Sequence, residues 1–166
     1  STATTGVRAA FQNQGQICLC GSRMFVERSI YEDFTHRFIE KVRAIRIGDP
    51  MDYSTDIGPV IDADAKAALE AHKARMAREA KTIIDLRPGG DCANGTFVSP
   101  VAYELSSIAS LKHEVFGPIL HVVRYAGDRL ADVCAALNAT GFGLTLGLHT
   151  RIETTAEEVR RLAKKG

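Results

Sequence analysis

Among these 166 residues no apolar run is long enough to cross a bilayer. No amino-terminal stretch joins a basic start to a hydrophobic centre and a small-residue cleavage site. A soluble, cytoplasmic protein is the expectation. Neither sign of charge is in excess: 21 basic residues face 20 acidic ones, a net +1, so no global field draws the chain to nucleic acid or an anionic membrane. Cysteine is sparse, with 4 unevenly placed, and a chain of this length needs no covalent staples, so reduced thiols are expected. Cys18 and Cys20 lack a second Cys or His cluster at zinc-site spacing, which argues against a metal. His36, His72, His113, His121 and His149 are scattered, and none shows a partner that would make it a base. The double glycine Gly89-Gly90 lacks the Lys-Ser/Thr ending of a P-loop and is not placed like a dinucleotide fingerprint. No repeat and no linker interrupts the chain. With 45% hydrophobic and 25% charged residues, a single domain over 1–166 is expected.

What is present alternates between helix and strand patterns. Val7, Ala9, Ala10 and Phe11 read as a helix end, and Arg23-Met24-Phe25-Val26-Glu27 as a strand. Ser29-Ile30-Tyr31-Glu32 has capping-box spacing ahead of Phe34, Phe38, Ile39, Val42 and Ile45, which share one helical face. The segment from Gly48 to Pro59 is rich in Asp, Ser and Gly and reads as an irregular connection that supplies position rather than chemistry. Asp62 and Asp64 open an alanine-rich helix reaching Ala80, and residues 81–86 read as a strand. Around Phe97 to Tyr103 the chain is extended, with Pro100 favouring an edge or irregular position over a central strand. Strands over 119–125 and 144–149 and helices over 129–137 and 154–165 complete an α/β sheet covered by helices.

The stretch Phe11-Gln12-Asn13-Gln14-Gly15-Gln16-Ile17-Cys18-Leu19-Cys20-Gly21-Ser22-Arg23 places a cysteine on a polar, glycine-hinged turn between helix and strand. Gly15 permits unusual backbone angles and Gly21 a close backbone approach. A free thiol ionises near about 8.5, and backbone N–H dipoles or a helix N-terminus lower that value. Taken alone, a free cysteine is usually a small buried hydrophobe, and Cys18 is open to that reading too.

Residues 11–23 resemble the cysteine signature of the aldehyde dehydrogenase superfamily, Phe-x-Asn-x-Gly-Gln-x-Cys followed by a short spacer and Arg. Cys18 matches the nucleophile and Cys20 does not. Downstream, His113-Glu114-Val115-Phe116-Gly117-Pro118-Ile119 resembles the family's Glu-x-Phe-Gly-Pro motif. The resemblance implies a three-layer aldehyde dehydrogenase-like catalytic domain with a mostly parallel sheet. It further implies that the Cys18 thiolate attacks an aldehyde carbon and that its own N–H serves the oxyanion. Hydride then passes to nicotinamide, and water hydrolyses a thioester. By the same likeness Glu114 bonds the nicotinamide-side ribose of NAD or NADP, and Phe116 positions that end of the cofactor. Without it, Glu114 reads as a surface charge and Phe116 as a core aromatic.

Residues 14–31 are similar to hydroxymuconic and aminomuconic semialdehyde dehydrogenases. Residues 56–150 are similar to the Δ1-pyrroline-5-carboxylate (glutamate semialdehyde) dehydrogenase part of proline-utilisation proteins. The substrate expected from the longer match is L-glutamate γ-semialdehyde. Family features not found in the sequence are the nucleotide-binding domain, the glutamate base in a Glu-Leu-Gly-Gly-like strand, the oxyanion asparagine and the carboxy-terminal pairing strand. The expectation is a chain that binds NAD(P) poorly and is inactive alone. The rival expectation is a truncated or recombined, non-enzymatic domain that forms homo-oligomers or associates with a full-length relative. A thioesterase-like side activity ranks behind both, because no independent base can be named.

Overall fold

The protein, described over residues 1–164 by a computed structural model, is built on one four-stranded sheet. The strands are β1 (Arg23–Glu27), β2 (Lys81–Asp85), β3 (Val101–Leu105) and β4 (Ile119–Tyr125), in spatial order β1-β4-β3-β2. β1 and β3 both pair parallel with β4, and only β2 runs antiparallel, beside β3. The helices are α1 (Thr2–Phe11), α2 (Tyr31–Arg43), α3 (Ala63–Glu79), α4 (Leu130–Ala139) and α5 (Glu153–Leu162). Helices on both faces make the three layers expected of the resemblance.

The two faces follow from period-two alternation along apolar strands, the pattern of a sheet covered on both sides. In β4, Leu120 and Val122 enter one core with Val26, Ala102 and the helix residues Ala3, Ala10, Phe11, Phe34, Phe38 and Val42. Their neighbours Ile119 and Val123 enter the other, with Val101, Tyr103, Leu105 and the α3 residues Leu69 and Met76. Stacking of Phe34 on Phe38, centroids 5.8 Å apart, and a tilted Phe11–Phe38 contact lock α1 to α2. Under α3 the half-covered ion pair Lys73–Asp85 (3.2 Å) is completed by Ser99, whose Oγ accepts from Lys73 Nζ at 2.7 Å.

Local chemistry departs from the sequence reading in three places. Ser29 does not form a capping box with Glu32. Glu27 accepts from the Ser29 N–H and Oγ–H instead, starting a short 3-10 turn that leads into α2. Burial adds little at this exposed carboxylate, and the Ser29 bonds hold it below the usual carboxylate range. Pro100 takes an irregular position, as read, but does not push the rest of its segment to an edge. It stops one residue short of β3, an interior strand, and its carbonyl accepts from Leu86 N–H, so no donor is missed inside the ladder. Residues 144–149 are not a strand: all are exposed and pair with nothing among the described residues, so their alternating Leu144, Leu146 and Leu148 stay in solvent. The expected helix over 154–165 is α5, docked through Asn138, which donates to the Leu162 carbonyl and accepts from Lys164 N–H; Lys165 lies outside the described residues.

Candidate active site

Because β1 and β4 are parallel neighbours with Arg23 opposite His121, the segments that lead into them emerge at the same end of the sheet. One is the cysteine stretch entering β1, and the other is the Glu114–Pro118 stretch entering β4. The junction is tight. A Cβ at Gly15 would stand 2.0 Å from the Gly117 carbonyl oxygen, and one at Gly117 would stand 2.3 Å from Leu69. Gly15 permits the approach of backbone to backbone, and Gly117 leaves room for the Leu69 side chain.

Upstream of the cysteine, Asn13 (φ 47), Gln14 (φ 58) and Gly15 (φ 66) form a run of left-handed residues, a conformation that non-glycine residues adopt at a cost. Hydrogen bonds hold it. Gly21 N–H donates to Ala9 O (2.7 Å), Ile61 N–H to Gln16 Oε1 (3.1 Å), and Gln14, with its amide oxygen turned inward, accepts from Gly58 N–H (2.9 Å). Gly58, within the irregular connection, and Ile61, just after it, thus brace the loop. Cys18 lies in the turn closed by Cys20 N–H and Ile17 O (2.9 Å), exposed, and its own N–H has no acceptor among the described residues. That N–H is available to a developing oxyanion.

Arg23 ties the two stretches together. Its Nη2 donates to the His113 carbonyl at 3.5 Å, and its guanidinium lies 4.9 Å from the Phe142 ring centroid. Burial pulls the guanidinium below its ordinary value, and the neighbouring Glu114 carboxylate opposes that shift. Glu114 itself is exposed with no hydrogen-bond partner among the described residues, and Phe116 is 45% exposed. A free carboxylate and an uncovered aromatic face beside the cysteine loop fit the ribose and ring of a nicotinamide nucleotide. Cys18 lines neither the concavity of about 580 Å³ between residues 146–150 and α5 nor that of about 380 Å³ beside α1. The cysteine itself is exposed.

The histidine reading requires correction, since two of the five are partners. His121, fully buried on β4, donates from Nδ1 to the Ser22 carbonyl (2.9 Å), the same oxygen that accepts from its backbone N–H (3.0 Å). A carbonyl only accepts, so Nδ1 carries the proton and Nε2 must accept from His72 Nε2–H (2.9 Å). His72 Nδ1 in turn accepts from Arg75 (3.3 Å). This chain from α3 through β4 pins the exit of the cysteine loop, and the separation of 49 positions between the two rings hid it from sequence.

Burial, outweighing the Ser22 hydrogen bond, pushes His121 down to about 4; burial lowers His72 too. The fold therefore favours neutral imidazole, whereas the unfolded chain binds a proton near 6.5. The contribution is complete above about pH 6.5 and is lost as pH falls toward about 4. At roughly 1.4 kcal/mol per unit, His121 accounts for about 3 kcal/mol. Urea unfolding across that window is expected to show this loss, and His121→Gln to flatten the slope. An unchanged slope in the variant would remove His121 from the account.

Comparison with known proteins gives the family. The aldehyde dehydrogenase family matches residues 1–166, and the chain belongs to that family. It is 40% identical over 163 residues to the bifunctional protein PutA of Salmonella typhimurium, covering 95% of this chain and 12% of that protein. The chain thus spans about an eighth of that relative's length. A crystal structure of a mutant Bradyrhizobium japonicum proline utilization A matches with TM-score 0.95 and 39% identity, over 99% of this chain and 17% of that one. A 3,6-anhydro-L-galactose dehydrogenase solved in complex with NAP matches with TM-score 0.90 and 28% identity, over 99% of this chain and 35% of that one. The likeness to the PutA proteins runs on both sides of Gly48.

Proposed function

We propose that Cys18 is the nucleophile of an NAD(P)-dependent oxidation of a semialdehyde, L-glutamate γ-semialdehyde, to its carboxylic acid, with Glu114 and Phe116 holding the nicotinamide end of the cofactor. The observation that carries this is the Gly15–Gly117 contact, which makes one site of two stretches about a hundred residues apart in sequence. The substrate comes from the likeness to PutA proteins.

Cys18 Sγ adds to the aldehyde carbon, forming a C–S bond, and the negative charge moves to the former carbonyl oxygen. The free Cys18 N–H meets that oxygen. The left-handed run and the Gln14 and Gln16 bonds fix the loop beforehand, so little ordering remains to be done during reaction. Glu114 offers acceptor oxygens to ribose hydroxyls, and Phe116 an apolar face. When bound, NAD or NADP supplies the hydride acceptor.

An activated ester such as p-nitrophenyl acetate tests the nucleophile without needing the cofactor. Intact mass is expected to show one acetyl group, mapped to Cys18 and lost in Cys18→Ala. Acetylation at Cys20 instead, or undiminished in the variant, would refute the assignment.

A second reading, association with another copy or a longer relative, has its own support. β1 is an open sheet edge, and Leu144, Leu146 and Leu148 are exposed in an extended segment.

A further inference from the structure

The His121 ring is sealed on β4 with both nitrogens occupied, and one of them is spent on the segment that leaves the nucleophile's turn. Ser22 stands four positions after Cys18. Its carbonyl accepts twice, from His121 N–H at 3.0 Å and from His121 Nδ1–H at 2.9 Å. The first bond needs no side chain; the second exists only because position 121 is a histidine. Between Cys20 and β1 the turn's other backbone bond is Gly21 N–H to Ala9 O (2.7 Å), while Ser22 Oγ and Arg23 Nε are buried with no partner among the described residues. Two orphaned polar atoms weaken this junction, since each gave up water without a replacement. The imidazole bond offsets part of that loss.

The pair of rings has one compatible arrangement of protons. They meet edge to face, 78° apart, with Nε2 to Nε2 at 2.9 Å. His72 donates there, and its Nδ1 accepts from Arg75, which also bridges to Glu79 at 3.4 Å. A proton added to His121 lands on Nε2 and sets two N–H donors against each other; one added to His72 lands on Nδ1 and opposes Arg75. Either breaks the chain. Facing the pair are Arg23 on β1 and Tyr103 on β3, both opposite His121 in register, with Arg75 and Glu79 on α3. From α4, Ala136 and Leu137 pack against the apolar core on that side of the sheet. Burial above all, with Arg23 and Arg75 behind it, opposes a charge on His121, against the Ser22 bond, which favours one.

We infer that His72 and His121 are positioning residues for the nucleophile: the neutral pair fixes the Ser22 peptide, and with it the turn that presents Cys18, and uptake of a proton lets that turn go. This rests on Cys18 being the nucleophile. Both rings act through the Ser22 carbonyl rather than on the substrate. The consequence is a reversible loss of Cys18 reactivity as pH falls from about 6.5 toward about 4, the window in which His121 takes its proton.

The test follows N-ethylmaleimide uptake at each cysteine, located by peptide fragmentation, for the folded 166-residue polypeptide and for the same chain unfolded in urea. Dividing the two Cys18 rates removes the thiol's own ionisation. The folded-to-unfolded ratio is expected to be level above about pH 6.5 and to fall at least about threefold toward pH 4, with Cys92 and Cys134 still protected. His121→Leu loses the donor and is expected to slow Cys18 about tenfold at neutral pH. His121→Asn sets an amide N–H near the place of Nδ1 but does not titrate, so it should recover most of that rate and abolish the fall. A level ratio in the wild type, a fall that persists in His121→Asn, or a fall that comes only with exposure of Cys92 and Cys134 would overturn the positioning role. A fast Cys18 with any of these leaves the nucleophile standing; a Cys18 no faster folded than unfolded at neutral pH removes both.

Discussion

Replacing Gly15 by alanine is expected to lower the unfolding free energy by at least about 3 kcal/mol, a large share of the roughly 5–15 kcal/mol available to a domain of this kind. Two costs add. Gly15 has φ +66, where a side chain is strained, and its Cβ would stand 2.0 Å from the Gly117 oxygen and 2.5 Å from the Gly117 carbon. Both obstructing atoms are backbone, so no rotamer change relieves them. Leu69 packs against Gly117 as well, its side chain 2.3 Å from where a Gly117 Cβ would stand. Gly89→Ala is the control: φ is −69 and nothing lies within 4 Å, so its effect should stay within about 0.5 kcal/mol. Urea midpoints for the two variants check this. Equal stability would mean that the two motifs do not meet as described.

A second large effect is all-or-none. Given L-glutamate γ-semialdehyde and NAD, the 166-residue polypeptide is expected to produce no NADH above the Cys18→Ala background. Cys18 offers one free N–H to an oxyanion, and loss of a single oxyanion donor costs an acyl-transfer enzyme about 3–4 kcal/mol. The family's base lies in a Glu-Leu-Gly-Gly-like strand that these 166 residues do not contain. Neither histidine of the pair replaces it: His121 spends Nδ1 on Ser22 and Nε2 on His72, and His72 is committed to Arg75. Acylation by an activated ester needs less, which is why the two assays are expected to disagree. NADH formation that depends on Cys18 would contradict this prediction.

Where one element's own pattern sufficed, sequence was enough. Residues 23–27 and 119–125 carry the β-branched and aromatic content of β1 and β4, and the structure places both strands at those bounds. The face shared by Phe34, Phe38 and Val42 likewise marked α2. What depends on a distant partner was not legible. His72 and His121 read as unrelated polar residues until the sheet stacked α3 over β4. Pro100 sits in irregular chain as read, but sequence does not show that an interior strand, β3, begins one residue later. The alternation at Leu144, Leu146 and Leu148 is a strand pattern, but a strand requires a neighbour, and the described chain provides none there. Cys18 was marked by its glycine-hinged turn and by family likeness, Glu114 by family likeness alone. The parallel register of β1 with β4 is the physical reason their loops meet, and no periodicity within either segment encodes it.

The competition among the four thiols for a limiting amount of iodoacetamide, followed peptide by peptide, tests the central claim most directly. Cys18 is expected to be alkylated first, well ahead of Cys20 and far ahead of the buried Cys92 and Cys134. The fast phase should vanish in Cys18→Ala and persist in Cys20→Ser. Four thiols reacting slowly and alike, or a fast phase that survives the loss of Cys18, would contradict a nucleophile poised at the junction of the two motifs.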